Sequence, residues 1–219
     1  MTELRGLIVD FGGVMTTPLQ DSMVAFAAEI GLDLQDFARI ALGAYAGGED
    51  PLVVDFETGR IGENEFALEL ARRIREVSGI EVAPEGLVRR IFTGLDLEEE
   101  MFSAVSAASR AGLRTALCSN SWGSELYPVD RLAAVFDVVV ISGEVGLRKP
   151  DPAIFELTLE RLGLEPASCA FVDDHPGHLQ VARELGLTTV LHREPASTIA
   201  ELEKLLGLAL RGGPANGSS

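Results

Sequence analysis

At the N-terminus and again after about residue 98, short runs of consecutive apolar residues alternate with amphipathic segments. Within each run the apolar residues are consecutive and do not alternate with polar ones, which is typical of strands buried on both faces. These runs lie at about residues 7–9, 113–118, 138–141, 170–172 and 188–191. The helices predicted around the later runs cover about residues 98–110, 125–134, 152–162, 179–185 and 198–206. The alternation predicts an α/β fold with a doubly wound parallel sheet.

Residues 16–97 follow a helical period instead. Apolar residues there recur three or four positions apart, most clearly at Phe66, Leu70, Ile74 and Val77. The predicted helices cover about residues 22–30, 34–46, 51–57, 63–77 and 84–91, the first capped by Asp21 or Ser22 and the last opened by Pro84. No strand is predicted in this stretch, which indicates an inserted, all-helical domain.

The predicted domain boundaries follow from this change of pattern. Residues 1–15 and 98–211 form the α/β domain, and residues 16–97 form the helical one. Residues 212–219 are rich in Gly and Ser and are expected to be disordered.

Charge and composition restrict the partners of the chain. It has 219 residues, 47% of them hydrophobic, and a formal net charge of −16, so nucleic acid and anionic membrane surfaces are not expected partners. No apolar run approaches the roughly 20 residues that cross a bilayer, and the N-terminal run stops at Asp10 and is not expected to be a signal peptide. Cys118 and Cys169 lie in predicted strands, which indicates reduced core residues and a cytoplasmic location.

Three of the predicted strands end in polar residues. Asp10 follows the first strand, Ser119 and Asn120 follow the second, and Asp173 and Asp174 follow the fourth. Because parallel strands end at the same edge of a sheet, these side chains are expected to lie together. An aspartate at such a place can attack phosphorus and form an aspartyl-phosphate.

Further residues at this edge could bind the oxygens of a phosphoryl group. Gly12 and Gly13 let the backbone turn tightly and bring N–H groups close to an anion. Lys149, in a loop before a predicted helix, can supply a fixed positive charge. Adjacent carboxylates at Asp173 and Asp174 are costly to bury without a cation, and Mg²⁺ prefers oxygen ligands of this kind.

Four short motifs occur in a recognisable order. They are VDFGGV at residues 9–14, LCSN at 117–120, RKPD at 148–151 and FVDD at 171–174. Together they resemble the haloacid dehalogenase-like hydrolase superfamily, in particular its capped phosphatases of the epoxide-hydrolase N-terminal type. The resemblance covers about residues 4–191. It implies a Rossmann-like core and a cap formed by the helical domain.

The resemblance also implies roles for individual residues. Asp10, Lys149 and Ser119 are the expected catalytic residues, with Asp10 as the nucleophile. The expected metal is Mg²⁺, with ligands Asp10, Asp173, Asp174 and the backbone carbonyl of Gly12. The expected substrate-binding residues are Phe11, Gly12, Gly13, Ser119, Asn120 and Lys149. The implied activity is hydrolysis of a small phosphorylated metabolite, and the oligomeric state is left open, with a homodimer as one alternative.

Gly12 departs from the family pattern. Phosphatases of this family usually carry a second aspartate two positions after the nucleophile, acting as general acid and base. Losing such a group typically costs about 10²–10⁴-fold in rate. Three explanations stay open: substrates with good leaving groups, partial replacement by Thr16, Thr17 or a water, or residual activity. His178 replaces a frequent Asn and is expected to support its loop by a hydrogen bond.

Two other functions also stay open. A dehalogenase of the same fold would use Asp10 to attack carbon without a metal, and the paired acids argue against it. A catalytically weak protein that binds a phosphorylated ligand would fit Gly12. At residue level, Ser119 could simply cap a helix, and Trp122 and Tyr127 are expected to pack beneath the site.

Overall fold

A five-stranded parallel sheet forms the centre of the computed structural model, which describes residues 3–42 and 50–211. The strands are β1 (Gly6–Val9), β2 (Arg114–Ser119), β3 (Val138–Ile141), β4 (Cys169–Asp173) and β5 (Thr188–Leu191). Their order is β3-β2-β1-β4-β5, with parallel pairing throughout. The winding changes direction at β1, so the crevice at the carboxyl end of β1 is the point where such sheets bind ligands.

Helices cover both faces of this sheet. The helices on one face are α6 (Glu99–Arg110), α7 (Val129–Val135) and α11 (Pro195–Leu206), and those on the other are α9 (Pro152–Leu162) and α10 (Pro176–Glu184). Leu7 and Val9 belong to the first hydrophobic core and Ile8 to the second, so β1 is buried throughout. The predicted α/β fold is therefore confirmed. Cys118 and Cys169 are buried and free, as expected.

The helices between β1 and α6 have a hydrophobic core of their own. They are α1 (Leu19–Glu29), α2 (Leu34–Leu42), α3 (Pro51–Glu57), α4 (Glu63–Ser78) and α5 (Leu87–Ile91). Phe26, Phe66 and Leu70 belong to a cluster separate from the two that flank the sheet. Thr16 and Leu97 form an antiparallel bridge where the chain enters and leaves this region. The predicted boundaries fall at this bridge, and the division into two domains stays a prediction.

Local details differ from the sequence-based expectations. α1 begins at Leu19, directly after Pro18 and ahead of the predicted cap at Asp21 or Ser22, because the fixed φ of proline suits a helix start. Val77, expected on the buried face of α4, is 56% exposed near the end of that helix.

Two further segments also differ. The helix predicted over residues 125–134 is divided by Pro128 into a 3₁₀ turn, Ser124–Leu126, and α7. A short helix, α8 (Ser142–Val145), was not predicted. The predicted helix extension over residues 43–46 and the predicted disordered tail lie outside the described residues. Among those that are described, no helix has the length and hydrophobicity needed to cross a membrane.

A close backbone approach joins the helical region to the sheet domain. A Cβ built on Gly59 would lie 2.3 Å from the carbonyl oxygen of Gly143. Next to this contact, the hydroxyl of Ser142 donates a hydrogen bond to the carbonyl oxygen of Glu57, at the end of α3. The helical region therefore contacts the first two residues of α8, Ser142 and Gly143.

We expect Gly59→Ala to destabilise the protein more than Gly79→Ala. Both glycines have positive φ, 70° and 76°, so each alanine costs about 1–2 kcal/mol for the left-handed backbone. Only at Gly59 does the new Cβ meet backbone, since nothing lies within 4 Å of it at Gly79. Urea denaturation should show an additional loss of about 1–3 kcal/mol for Gly59→Ala. Equal losses would mean that this contact does not hold the two parts together.

Candidate active site

The strand ends predicted to converge lie at one edge of the sheet. In the pairing of β1 with β4, Val9 lies opposite Val172, so Asp10 and Asp173 follow at the same level. The N–H of Asp10 donates to the carbonyl oxygen of Val172 at 2.9 Å, which extends the pairing by one residue. On the other side of β1, β2 ends at Ser119. Three neighbouring strands therefore deliver polar side chains to one crevice.

Lys149 reaches this edge from the loop that precedes α9. Its ammonium lies 2.7 Å from Oδ1 of Asp10 and 2.7 Å from Oδ2 of Asp173. The side chain of Lys149 is fully buried. Burial disfavours its charged form, but the two carboxylates more than offset this effect, so the pKa of Lys149 lies above its usual range. The lysine is therefore a permanent positive charge beside Asp10.

Asp173 is held as a carboxylate by several donors. Besides Lys149, it accepts a hydrogen bond from the N–H of His175 at 2.7 Å, and Nδ1 of His178 lies 3.1 Å from each of its oxygens. Burial alone would raise the pKa of Asp173, but Lys149 and the hydrogen bond from His178 hold it well below its usual range. Burial lowers the pKa of His178. A neutral His178 protonated at Nδ1 can support this loop, as the sequence led us to expect.

Asn120 fixes the loop that carries the lysine. Its Oδ1 accepts from the N–H of Lys149 at 2.8 Å, and its Nδ2 donates to the carbonyl oxygen of the same residue at 2.9 Å. Nδ2 also lies 3.4 Å from Oε2 of Glu57. Both ends of the amide are thus used within the protein. This geometry favours a positioning role, and the predicted contact of Asn120 with substrate stays a prediction.

Ser119 lines the cavity beside Asp10. Its hydroxyl lies 2.9 Å from the hydroxyl of Tyr127, whose ring packs on Phe11 with 4.8 Å between the ring centroids. Burial raises the pKa of Tyr127 well above its usual range, so the phenol stays protonated. Tyr127, expected only to pack beneath the site, therefore also orients the serine hydroxyl.

The turn after β1 uses two of its N–H groups internally. The N–H of Phe11 donates to Oδ1 of the preceding aspartate at 2.7 Å, and the N–H of Gly13 donates to Oγ1 of Thr16 at 3.0 Å. Gly13 has a φ of 73°, and a Cβ there would lie 2.5 Å from Oδ2 of Asp174, so this turn requires glycine. Of the three N–H groups predicted to face substrate, that of Gly12 has no protein partner in the part of the chain that the structure describes.

The acidic groups of this edge suit a hard divalent cation. Burial, together with the negative charges of Asp173 and Asp174, raises the pKa of Asp10 to about 7, against the lowering effect of Lys149. Loss of solvent and the charge of Asp173 also raise the pKa of Asp174. One ammonium thus does not neutralise three carboxylates. Carboxylate and backbone oxygens are the ligands that Mg²⁺ prefers, so the donor set fits the predicted metal.

The three acids are not equally available to a metal. Ligand atoms of Asp10, Asp173 and His178 lie within 4.8 Å of one another. Asp173, however, is already occupied by Lys149 and by its other donors. Asp174 instead lines the same cavity as Asp10. We therefore favour Asp10 and Asp174 as the side-chain ligands, and the predicted role of Asp173 at the metal stays a prediction.

A cavity of about 310 Å³ lies over Asp10. Its apolar walls include Leu19, Leu95, Trp122 and Leu126. Glu57 and Arg148 form an ion pair of 2.5 Å on its polar side. Leu19, Glu57 and Leu95 come from the helical region, so both parts of the protein shape the cavity. No local pattern marks Leu19, Leu95 and Leu126 in the sequence, and sequence reasoning missed them, whereas Trp122 was expected only to pack beneath the site.

This fold and this site define a hydrolase family. A family model described as haloacid dehalogenase-like hydrolase matches residues 2–186. The chain therefore belongs to the haloacid dehalogenase-like hydrolase family, as the four motifs predicted.

Three known proteins illustrate the similarity. The chain is 32% identical over 226 residues to bifunctional epoxide hydrolase 2 of Sus scrofa, a match that covers 97% of this chain but only 40% of that protein. It is 24% identical over 211 residues to D-ribitol-5-phosphate phosphatase of Bacteroides thetaiotaomicron, covering 93% of this chain and 98% of the relative. A magnesium complex of a HAD-family enzyme from Bacteroides thetaiotaomicron has the same fold, with a TM-score of 0.68, 22% identity and coverage of 88% and 94%.

Lys149→Met is expected to lower the free energy of unfolding by about 3–5 kcal/mol, because it leaves two buried carboxylates without their cation. Lys204, the other lysine of the chain, is exposed on α11. Lys204→Met is the matched control and should change stability by no more than about 0.5 kcal/mol. Urea denaturation measures both variants. A loss at residue 149 no larger than the loss at residue 204 would contradict the buried ion pair.

Proposed function

We propose that the protein is a phosphatase of small phosphorylated metabolites in which Asp10 is the nucleophile. The observation that carries the proposal is the buried ammonium of Lys149, 2.7 Å from the carboxylate of Asp10 at the base of a cavity. Membership of a hydrolase family and the similarity to a sugar-alcohol phosphate phosphatase support it.

The two oxygens of Asp10 have different surroundings. Oδ1 contacts Lys149 and the N–H of Phe11, whereas Oδ2 makes no hydrogen bond with the residues that the structure describes. Oδ2 is the proposed attacking atom. Its attack on phosphorus, in line with the leaving group, forms an aspartyl-phosphate as the ester P–O bond breaks. Lys149 and the hydroxyl of Ser119 hold the phosphoryl oxygens, and water then releases phosphate and restores the carboxylate.

Asp10, Asp174 and the carbonyl oxygen of Gly12 would hold Mg²⁺, which when bound supplies positive charge that offsets the charge of the phosphoryl group. Asp173 has a different proposed task. It holds the ammonium of Lys149 in place, so that the lysine reaches both Asp10 and an incoming phosphate.

We propose further that residues 16–97 act as a cap. Leu19 and Leu95 from this region line the cavity, and Glu57 pairs with Arg148 across its junction with the sheet domain. Excluding bulk water from the cavity strengthens the attraction between Lys149 and the charge that develops during the reaction.

We also infer a cytoplasmic location and no nucleic-acid partner. The net charge of −16 disfavours polyanions, and two buried, free cysteines suit a reducing compartment. The alternative of a homodimer stays a prediction.

The proposed function is tested by phosphate release from a panel of phosphomonoesters with Mg²⁺ and after chelation. We expect release that depends on Mg²⁺, and a fall of at least about 10³-fold in Asp10→Asn because the nucleophile is lost. Asp130, exposed on α7, provides the control Asp130→Asn, which should retain full activity.

Two results would contradict this assignment. One is the absence of phosphate release from every ester of the panel. The other is release of chloride from 2-chloropropionate in EDTA, which would identify a dehalogenase. The paired acids Asp173 and Asp174 were the argument against a metal-free dehalogenase. Because Lys149 compensates the charge of Asp173, they do not exclude that chemistry by themselves, and the second test is needed.

A further inference from the structure

Leu19 fills the space beside residue 12. A Cβ built on Gly12 would lie 2.8 Å from Cδ1 and 3.2 Å from Cγ of Leu19. Leu19 is the first residue of α1 and, like Asp10, lines the cavity. An isobutyl group from the helical region thus occupies the position into which a side chain at residue 12 would extend.

The two threonines considered as substitutes for a proton donor hold the adjoining turn instead. The hydroxyl of Thr16 accepts from the N–H of Gly13 at 3.0 Å and donates to the carbonyl oxygen of Thr17 at 2.9 Å. The hydroxyl of Thr17 accepts from the N–H of Asp96 at 3.1 Å. Neither threonine is among the residues that line the cavity.

Three other polar side chains near the cavity make hydrogen bonds within the protein. The hydroxyl of Tyr127 pairs with Ser119 at 2.9 Å, and Nδ1 of His178 lies 3.1 Å from the carboxylate of Asp173. Nδ1 of His175 accepts a backbone N–H at 3.2 Å at the start of α10. In the described part of the chain, the atoms nearest to a Cβ at residue 12 belong to the hydrocarbon side chain of Leu19 and not to an acid.

The walls of the cavity decide what the leaving group would contact. In-line displacement puts the leaving oxygen on the side of phosphorus opposite to Asp10. The cavity over Asp10 that would receive the leaving group has Leu19, Leu95, Trp122 and Leu126 among its walls, together with the polar residues Asp174, His175 and His178. Glu57 and Arg148, the charged pair on these walls, neutralise each other at 2.5 Å.

We propose that the substrates are phosphate monoesters of phenols, whose apolar ring occupies this wall and whose oxygen leaves without being protonated. The proposal rests on the phosphatase function above and names its substrate class. Two features select it together: the apolar wall favours an uncharged aromatic body, and the hydrocarbon over Gly12 favours a weakly basic leaving oxygen. Phenols meet the first requirement through their apolar ring. They meet the second because they are far stronger acids than aliphatic alcohols, so that the phenolate oxygen is weakly basic.

The reaction balances without an acid at residue 12. A bond forms between Oδ2 of Asp10 and phosphorus while the aryl ester P–O bond breaks, and its electron pair leaves with the phenolate. The phenolate takes a proton from water after release. Water then attacks phosphorus, the P–O bond to Asp10 breaks and restores the carboxylate, and the proton of the attacking water passes to solvent.

The wild-type protein is assayed with Mg²⁺ on four phosphate esters, chosen so that the effect of leaving-group basicity can be distinguished from the effect of leaving-group polarity. They are 4-nitrophenyl, phenyl and cyclohexyl phosphate and glucose 6-phosphate. Cyclohexyl phosphate keeps an apolar six-membered ring but has a strongly basic leaving oxygen. We expect kcat/KM to fall by about 10²–10⁴-fold from phenyl to cyclohexyl phosphate, which is the rate factor that a general acid typically contributes. We expect kcat/KM to fall further for glucose 6-phosphate.

This series distinguishes the two proposals. If 4-nitrophenyl phosphate and the other three esters release no phosphate, the phosphatase function itself fails. If phosphate is released from cyclohexyl phosphate or glucose 6-phosphate as fast as from phenyl phosphate, the phosphatase stands and the substrate class is overturned.

A double-variant cycle tests the role of Leu19. Gly12→Asp alone should gain less than the double variant, because the new Cβ lies 2.8 Å from Cδ1 of Leu19 and this side chain has to shift to admit it. Combined with Leu19→Ala, it should raise turnover of cyclohexyl phosphate by about 10-fold or more and that of phenyl phosphate much less. Circular dichroism checks that each variant is folded.

Two outcomes of this cycle would overturn the inference about the apolar cover. One is a full gain on cyclohexyl phosphate in Gly12→Asp alone, which would mean that Leu19 does not fill the space. The other is an equal gain on both esters in the double variant, which would mean that protonation of the leaving group is not what the wild type lacks. If a variant does not fold, the wild-type substrate series still decides the proposal.

Discussion

The site depends on a buried ammonium held between two carboxylates. Lys149 lies 2.7 Å from both Asp10 and Asp173 and is shielded from solvent. Burying such charges is costly unless each is paired at short range. The pairing of β1 with β4 meets this requirement because it brings the two aspartates to the same level, and Asn120 meets it by fixing the backbone of the lysine. The positions of the proposed nucleophile Asp10, of the ammonium of Lys149 and of the sheet edge are therefore parts of one electrostatic arrangement.

This arrangement explains how an acidic protein can receive an anion. A net charge of −16 opposes a phosphate at long range, but the screening length of about 8 Å at physiological ionic strength limits that opposition to short distances. At the cavity, the N–H of Gly12, a metal held by Asp10 and Asp174, and the charge of Lys149 buried next to Asp10 would all attract phosphoryl oxygens. In the proposed function, the acids of the site would thus bind substrate indirectly, through Lys149 and the metal that they would hold.

The sequence predicted the strands and the convergence of their ends because both follow from local pattern and from the geometry of parallel sheets. It did not separate Asp173, the last residue of β4, from Asp174, which follows the strand, because a motif of two adjacent acids does not show which of them contacts the ammonium of Lys149. It also missed Tyr127 and Leu19 as parts of the site. Their roles depend on contacts between distant segments, the hydroxyl of Ser119 in one case and the Cα of Gly12 in the other, and no local spacing encodes such contacts.

Gly12 and the apolar cover above it are best understood together. A carboxylic acid at residue 12 would meet the side chain of Leu19, and burying it against this hydrocarbon would carry a desolvation cost. A hydrocarbon avoids that cost and keeps water away from Asp10 and Lys149, whose attraction to a phosphoryl group grows as the surroundings become less polar. The proposed site would therefore lack a proton donor at residue 12 but attract the phosphoryl group more strongly. That exchange suits a substrate whose leaving oxygen needs no proton, which is why the chemistry of residue 12 and the shape of the cavity point to the same class of ester.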